Sequence, residues 1–180
     1  WLIKLDGVSD AQLGSSQGWG RVEYAYYLMA KECGVEMMPC RLFEENGRAH
    51  FMTKRYDRVG EKERVHAQTM CAMNHMDFNR NQSYSYEQLF QIMRQLNLTY
   101  PEMEQMFRRM VFNAYARNCD DHTKNHSFLM DNSGKWRLAP AYDICFAYNP
   151  TNFWVKRHAL SINHKREQFV TDDFMEVAKL

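Results

Sequence analysis

The sequence predicts an α+β fold, with a small mixed β-rich unit over residues 1–58 and a mainly helical unit over residues 59–180. Three observations predict it. Asn46-Gly47 lies between two strand-like runs, a strong short-range hairpin signal. Apolar residues recur at helical spacing over 21–33 and again after Thr99, as on helices with one buried face. At 180 residues the chain can bury one substantial core or two small units sharing one.

WLIKL at 1–5 reads as a strand that starts in mid-element, with Lys4 among apolar neighbours, and implies a chain whose earlier segments are missing. Residues 6–20, with Gly7, Gly14, Gly18 and Gly20, are expected to form a flexible loop. From Arg21 to Cys33, Val22, Ala25, Tyr26, Met29 and Ala30 mark a helix face, and Gly34 is a good stop. Glu36–Phe43 and Arg48–Tyr56 are the arms of the hairpin around Glu45-Asn46-Gly47. The middle of the chain is expected to be helical. Ser85–Gln88 and Thr99–Glu102 fit the capping-box pattern, the second with Pro101 near the helix start. Met103, Met106, Phe107, Met110, Val111, Ala114 and Tyr115 then form one apolar stripe, which predicts a central, buried helix. His126–Met130 and Lys135–Ala139 flank Asp131-Asn-Ser-Gly134, a second hairpin. Thr171-Asp-Asp173 caps a terminal helix.

Composition excludes more than it assigns. A net charge of +1 gives no overall attraction to nucleic acid or membrane. Apolar runs are far short of a membrane span, and no signal-peptide pattern opens the chain. The five cysteines contain no C-x-x-C pair and are odd in number. This predicts a reduced, cytoplasmic setting with most thiols buried as small apolar groups.

The chemistry is concentrated in NCDDHTKNHSF, residues 118–128. Cys119, His122 and His126 have a zinc-like spacing but lack a fourth ligand and the Glu of the H-E-x-x-H motif. A polar loop bonded to its own backbone is the plain alternative. A third reading is phosphoryl transfer. Asp120 and Asn125 stand as D-x-x-x-x-N, the spacing at which protein kinases place a base and a metal-binding amide. Asp143, after the second hairpin, supplies a further hard oxygen for Mg²⁺. Lys4 on a strand and Glu23 on the next helix match the lysine–glutamate pair that orients nucleotide phosphates. The chain order is therefore Lys, Glu, D-x4-N, Asp.

Asp120-Asp-His-Thr-Lys-Asn125 together with Leu138-Ala-Pro-Ala-Tyr-Asp143 resembles the HipA-like serine/threonine kinase family, in its C-terminal kinase region. Lys54-Arg-Tyr-Asp-Arg58 and Ala159-Leu-Ser-Ile-Asn163 with Lys165 are weaker echoes. The resemblance covers nearly the whole chain. It implies a protein-kinase-like fold, with 1–58 a truncated N-lobe and 59–180 the C-lobe. It implies that Asp120 accepts the proton of the substrate hydroxyl, that Asn125 and Asp143 hold Mg²⁺, and that Lys4, with Glu23, meets ATP phosphates. Lys54, Arg55 and Tyr56 would line the adenine-side hinge; His122, Thr123, Lys124, Asn125, Tyr142 and Asp143 would complete the nucleotide site. Tyr142 is equally readable as a core residue. The cofactors implied are ATP and Mg²⁺. The partners implied are a protein substrate from the translation apparatus and a DNA-binding antitoxin, with no direct nucleic-acid binding and no membrane.

The chain departs from the family at three places. Lys54 stands where a glutamate-like residue is expected, Asp121 replaces a small residue, and no glycine-rich phosphate loop precedes Lys4. A small-molecule kinase and a catalytically dead nucleotide-binding or partner-docking module are the alternative readings.

Overall fold

The computed structural model describes residues 1–7, 17–60, 62–80 and 82–180. Gly14 lies outside them. The first sheet is antiparallel with order β1-β3-β2, formed by β1 (Leu2–Lys4), β2 (Cys40–Glu45) and β3 (Arg48–Thr53). Asn46 and Gly47, both at positive φ, make the two-residue turn, and Glu45 pairs with Arg48. That is the backbone a tight hairpin between right-twisted strands requires. Both arms are shorter than the sequence predicts: one arm-to-arm bond continues past the ladder, and residues 36–37 then turn to Ala141. Met37 bridges Ala141, and the Lys54 N–H bonds Pro39 C=O at 2.9 Å.

Helix α1 (Trp19–Glu32) packs on β2 and β3. It starts earlier than predicted and takes in Gly20. An added Cβ on Gly20 would lie 2.0 Å from Ala49 O, so this glycine permits close helix–strand approach and is not loop flexibility. The buried side of α1 is Gly20, Glu23, Tyr27 and Ala30, while Ala25 and Met29 of the predicted apolar face are exposed. The helix is rotated to bring a glutamate inward.

The middle of the chain is less helical than predicted. β4 (Arg58–Val59) and β5 (Glu63–Arg64) form a small hairpin, and β6 (His66–Thr69) leads into the short helix α2 (Met70–Met73). β6 then pairs antiparallel with β8 (Ser127–Met130), which pairs with β9 (Trp136–Leu138). The predicted second hairpin is therefore two strands of a three-stranded sheet. β7 (Tyr84–Ser85) pairs in parallel with β10 (Leu160–Ser161).

Helix α3 (Tyr86–Gln95) carries the predicted capping box: Gln88 N–H donates to Ser85 Oγ at 3.2 Å, and Ser85 N–H to Gln88 Oε1 at 3.1 Å. Helix α4 (Tyr100–Tyr115) starts at Thr99, whose N–H and hydroxyl both donate to Glu102 Oε2. Met106 and Met110 lie in the main core with Met70, Tyr86, Leu89, Met93, Phe128 and Leu160. Phe112, from another face of α4, joins Ala30, Val35, Ala141 and Ile144 in a second cluster. One helix thus supports both the α1 side and the remainder. Tyr115 closes the predicted stripe but is exposed, while Arg109 and Asn113 are buried in its place. Helix α5 (Thr171–Ala178) is capped from within: Asp173, at its third position, accepts the Val170 N–H at 2.8 Å.

All five cysteines are free, but only Cys119 is buried, so the expectation that most would be interior fails. No described helix is long and apolar enough to cross a membrane.

Replacing Gly20 with Ala should lower stability by about 1–3 kcal/mol, the usual cost of overpacking. The urea midpoint of the variant measures it; an unchanged midpoint would show that α1 and β3 can separate at little cost.

Candidate active site

Lys4 lies at the end of edge strand β1, which places its side chain over α1. Its Nζ donates to Glu23 Oε1 at 2.7 Å and to Asp143 Oδ1. Three charges from three segments far apart in sequence therefore meet at one point. Burial alone would push the Lys4 pKa down, but Asp143 and Glu23 outweigh it and raise it. Burial is the main cause of the raised Glu23 pKa, opposed by Lys4. Asp143 takes φ 55, in the left-handed region that L-residues rarely occupy. Such backbone is retained where the surroundings impose it, often at functional sites.

Asp120 opens the polar loop after α4. Its carboxyl pKa is raised, first by burial, then by the charges of Asp143 and Asp121, with His122 and Lys4 opposing. It is therefore within electrostatic range of both Lys4 and Asp143. His122 Nε2 lies 3.7 Å from Asp120 Oδ1. The Asn125 amide donates to the Asp120 carbonyl at 2.7 Å. This bond fixes which way the amide faces and leaves Asn125 Oδ1 with no protein donor among the described residues.

Tyr142 is anchored: its hydroxyl donates to Lys124 C=O at 2.6 Å and shares a short hydrogen bond with Ser127 Oγ. Tyr56 stacks on it with ring centroids 5.2 Å apart. Lys54, Arg55, Tyr56 and Tyr142 line one cavity of about 280 Å³, with Leu2 of β1 on its wall. The Arg55 guanidinium is forked onto Asp57, at 2.8 and 2.6 Å. A second cavity, of about 340 Å³, lies beside Asp120 and is lined by Phe78, Asn79, His122, Trp154, Val155 and Ala159.

Two predicted residues are not presented to this cleft. Thr123 is buried, and its hydroxyl has no partner among the described residues. The Lys124 ammonium sits over the Phe78 ring, 3.0 Å from its centroid. The zinc spacing is not a site. Among the described residues, His126 is buried with no hydrogen-bond partner for either ring nitrogen, and no cluster of three His, Cys, Asp or Glu could hold an ion.

Sequence reasoning missed the support beneath the loop. Asp121 is buried, and its carboxylate accepts from Tyr86 Oη at 2.9 Å, Ala159 N at 2.8 Å and Leu160 N at 3.4 Å, with His158 Nδ1 at 3.0 Å. Burial lowers the His158 pKa, but the Asp121 charge and hydrogen bond overcome this and lift it to about 10. Arg109, also buried, donates to Ala139 C=O at 2.6 Å and so holds the segment that leads to Asp143. An ionisable residue on an otherwise apolar helix face was the available signal for Arg109. Nothing local marks His158.

Residues 1–179 match the HipA-like C-terminal domain family. The chain belongs to this family. Over 125 residues it is 25% identical to Y4mE of Sinorhizobium fredii, a protein that carries a kinase name, across 64% of this chain and 30% of Y4mE. The HipA structure from Shewanella oneidensis MR-1, solved with HipB and operator DNA, superposes with a TM-score of 0.78 at 19% identity. That match covers 93% of this chain and 45% of the other. This HipA-like chain thus spans less than half of each of these two proteins, and the structural likeness is one of fold.

The His158–Asp121 pair has a pH signature. A raised folded-state pKa contributes stability in full below the unfolded value of about 6.5, and the contribution is lost as pH rises towards 10. Urea midpoints should therefore fall between pH 7 and pH 10. His158→Gln should be less stable at pH 6, by on the order of 3 kcal/mol, and flatter across that range. A variant as pH-sensitive as the parent would remove His158 as the cause.

Proposed function

We propose that this HipA-like chain carries the catalytic centre of an ATP-dependent serine/threonine protein kinase of toxin type, moving the ATP γ-phosphate to a protein hydroxyl. One observation carries the reading: the Lys4 ammonium contacts both Glu23 and Asp143, with Asp120 in electrostatic range. Family membership and the kinase name of Y4mE support it.

In this reading Lys4 binds phosphate oxygens as a compact cation, and Glu23 fixes its direction. Asp120 receives the proton of the attacking hydroxyl. Its upward-shifted pKa suits a group that must take a proton late in the transfer. The cavity lined by Lys54, Arg55, Tyr56 and Tyr142 takes the adenine side, and the one beside Asp120 takes the acceptor. The donor set suits Mg²⁺, because Asn125 Oδ1 and the Asp143 carboxylate are hard oxygens and a cation, the Lys4 ammonium, already rests on Asp143. When bound, the ion would neutralise charge developing on the phosphates. The residues themselves contribute mostly positioning and electrostatics.

The Shewanella HipA was solved with HipB and operator DNA. By analogy we propose a HipB-like DNA-binding antitoxin as partner, a translation component as substrate, and a cytoplasmic location.

Radiolabel transfer from ATP to protein tests the reading. Asp120→Asn should lower kcat by about 10²–10⁴-fold while ATP still binds. Lys4→Met should weaken ATP binding as well. Normal transfer by Asp120→Asn would remove Asp120 as the base. Transfer to small molecules and never to protein would overturn the protein-kinase assignment.

A further inference from the structure

A cavity of about 320 Å³ opens at the end of α4, between that helix, residues 156–158 and residues 166–169. It lies on the far side of the Trp154–Ala159 segment from Asp120: Trp154, Val155 and Ala159 line the cavity beside Asp120, and Lys156, Arg157 and His158 line this one. Its walls carry Arg117, Lys156, Arg157, His158 and Arg166 against a single carboxylate, Glu167.

The charges are not equally committed. Arg157 pairs with Glu167 at 3.2 Å, and His158 faces Asp121. The Arg166 guanidinium is spent on the carbonyls of Ala159, Gln82 and Tyr84. Arg117 and Lys156 have no acidic partner among the described residues. The Arg117 guanidinium lies over Tyr148, 4.5 Å from the ring centroid, and its N–H groups have no hydrogen-bond partner among the described residues. Lys156 is only loosely placed near Phe153, at 5.4 Å.

Arg117 occupies a backbone position that favours glycine. It follows the last turn of α4 at φ 53, and the next N–H, that of Asn118, returns to Asn113 C=O at 3.0 Å. This is the left-handed position of a helix-terminating motif, where glycine is favoured because a Cβ is penalised. At that position Arg117 places in the cavity wall a guanidinium that has no acidic partner among the described residues.

We propose that this cavity is a binding site for a small phosphate-bearing molecule, gripped by Arg117 and Lys156 above Tyr148. Paired N–H donors of a guanidinium match phosphate oxygens, and the volume is at the lower end of small-molecule sites. The site is separate from the Lys4–Asp143 cleft and does not depend on the kinase assignment.

Calorimetric titration of the full chain with inorganic pyrophosphate in EDTA tests it, using the unsubstituted protein, Lys4→Met and Arg117→Gly. Pyrophosphate binding should persist in Lys4→Met, which lacks the phosphate-binding cation of the other cleft. Arg117→Gly should bind at least about tenfold more weakly, with an unfolding midpoint equal to or above the parent's, because glycine suits the backbone there. Absence of binding, loss of binding in Lys4→Met, or unchanged affinity in Arg117→Gly would each overturn the proposal. If Arg117→Gly does not fold, Lys156→Gln replaces it: weakened binding supports the site, and parent-like affinity overturns it.

Discussion

The Asp121 carboxylate is the constraint on which the arrangement of the polar loop rests. A carboxylate this deeply buried must be compensated. Here it is, by the Tyr86 hydroxyl, the His158 ring and the backbone N–H groups of Ala159 and Leu160. Tyr86 in turn accepts from the Asn113 amide, and Asn113 accepts from Asn118. One side chain thus joins the start of α3, the buried face of α4, the polar loop and the segment entering β10. Its neighbour Asp120 is directed outward as a consequence, since adjacent side chains in an extended loop diverge. Deleting one member of such a network leaves a buried charge or dipole unpaired, which is why its failure would be cooperative.

The same logic explains the other side of the cleft. Glu23 points inward because Gly20 lets α1 settle onto β3, and a buried glutamate needs a cation. Lys4 supplies it from the edge strand, where a long side chain can reach over the sheet rim. Asp143 completes the cluster from a backbone conformation its residue type seldom adopts. Arg109 steadies that segment from beneath through Ala139. The charged groups on the surface of the cleft therefore rest on a second set of polar groups that are themselves buried.

Much of the local structure could be read directly from residue patterns. Asn46-Gly47 specified its hairpin, Ser85 with Gln88 specified the start of α3, and Met106 and Met110 specified the core side of α4. The order Lys4, Glu23, Asp120, Asn125, Asp143 was also visible, and the fold brings Lys4, Glu23 and Asp143 into contact. β6 was not visible, because His66-Ala-Gln-Thr69 has no alternating apolar pattern and its pairing with β8 closes over a long stretch of chain. The apolar patterns of α1 and α4 locate their buried faces only in part, for a related reason. Apolar periodicity locates a helix face only when burial is apolar, and here Glu23 and Asn113 are buried with polar partners and Arg109 is buried with one bond, to Ala139 C=O.

The sequence by itself determined the longer helices, the Asn46-Gly47 turn and the capping boxes of α3 and α4, and the set of chemical groups available, because these depend on neighbours a few residues apart. Tertiary structure alone decided which polar groups point into the cleft and which lie beneath it: Thr123 and Asp121 are interior, Lys124 is drawn to Phe78, and His158 is held against Asp121. The reason is that burial and pairing of a polar side chain depend on partners distant in the chain, and no local pattern encodes where those partners will stand.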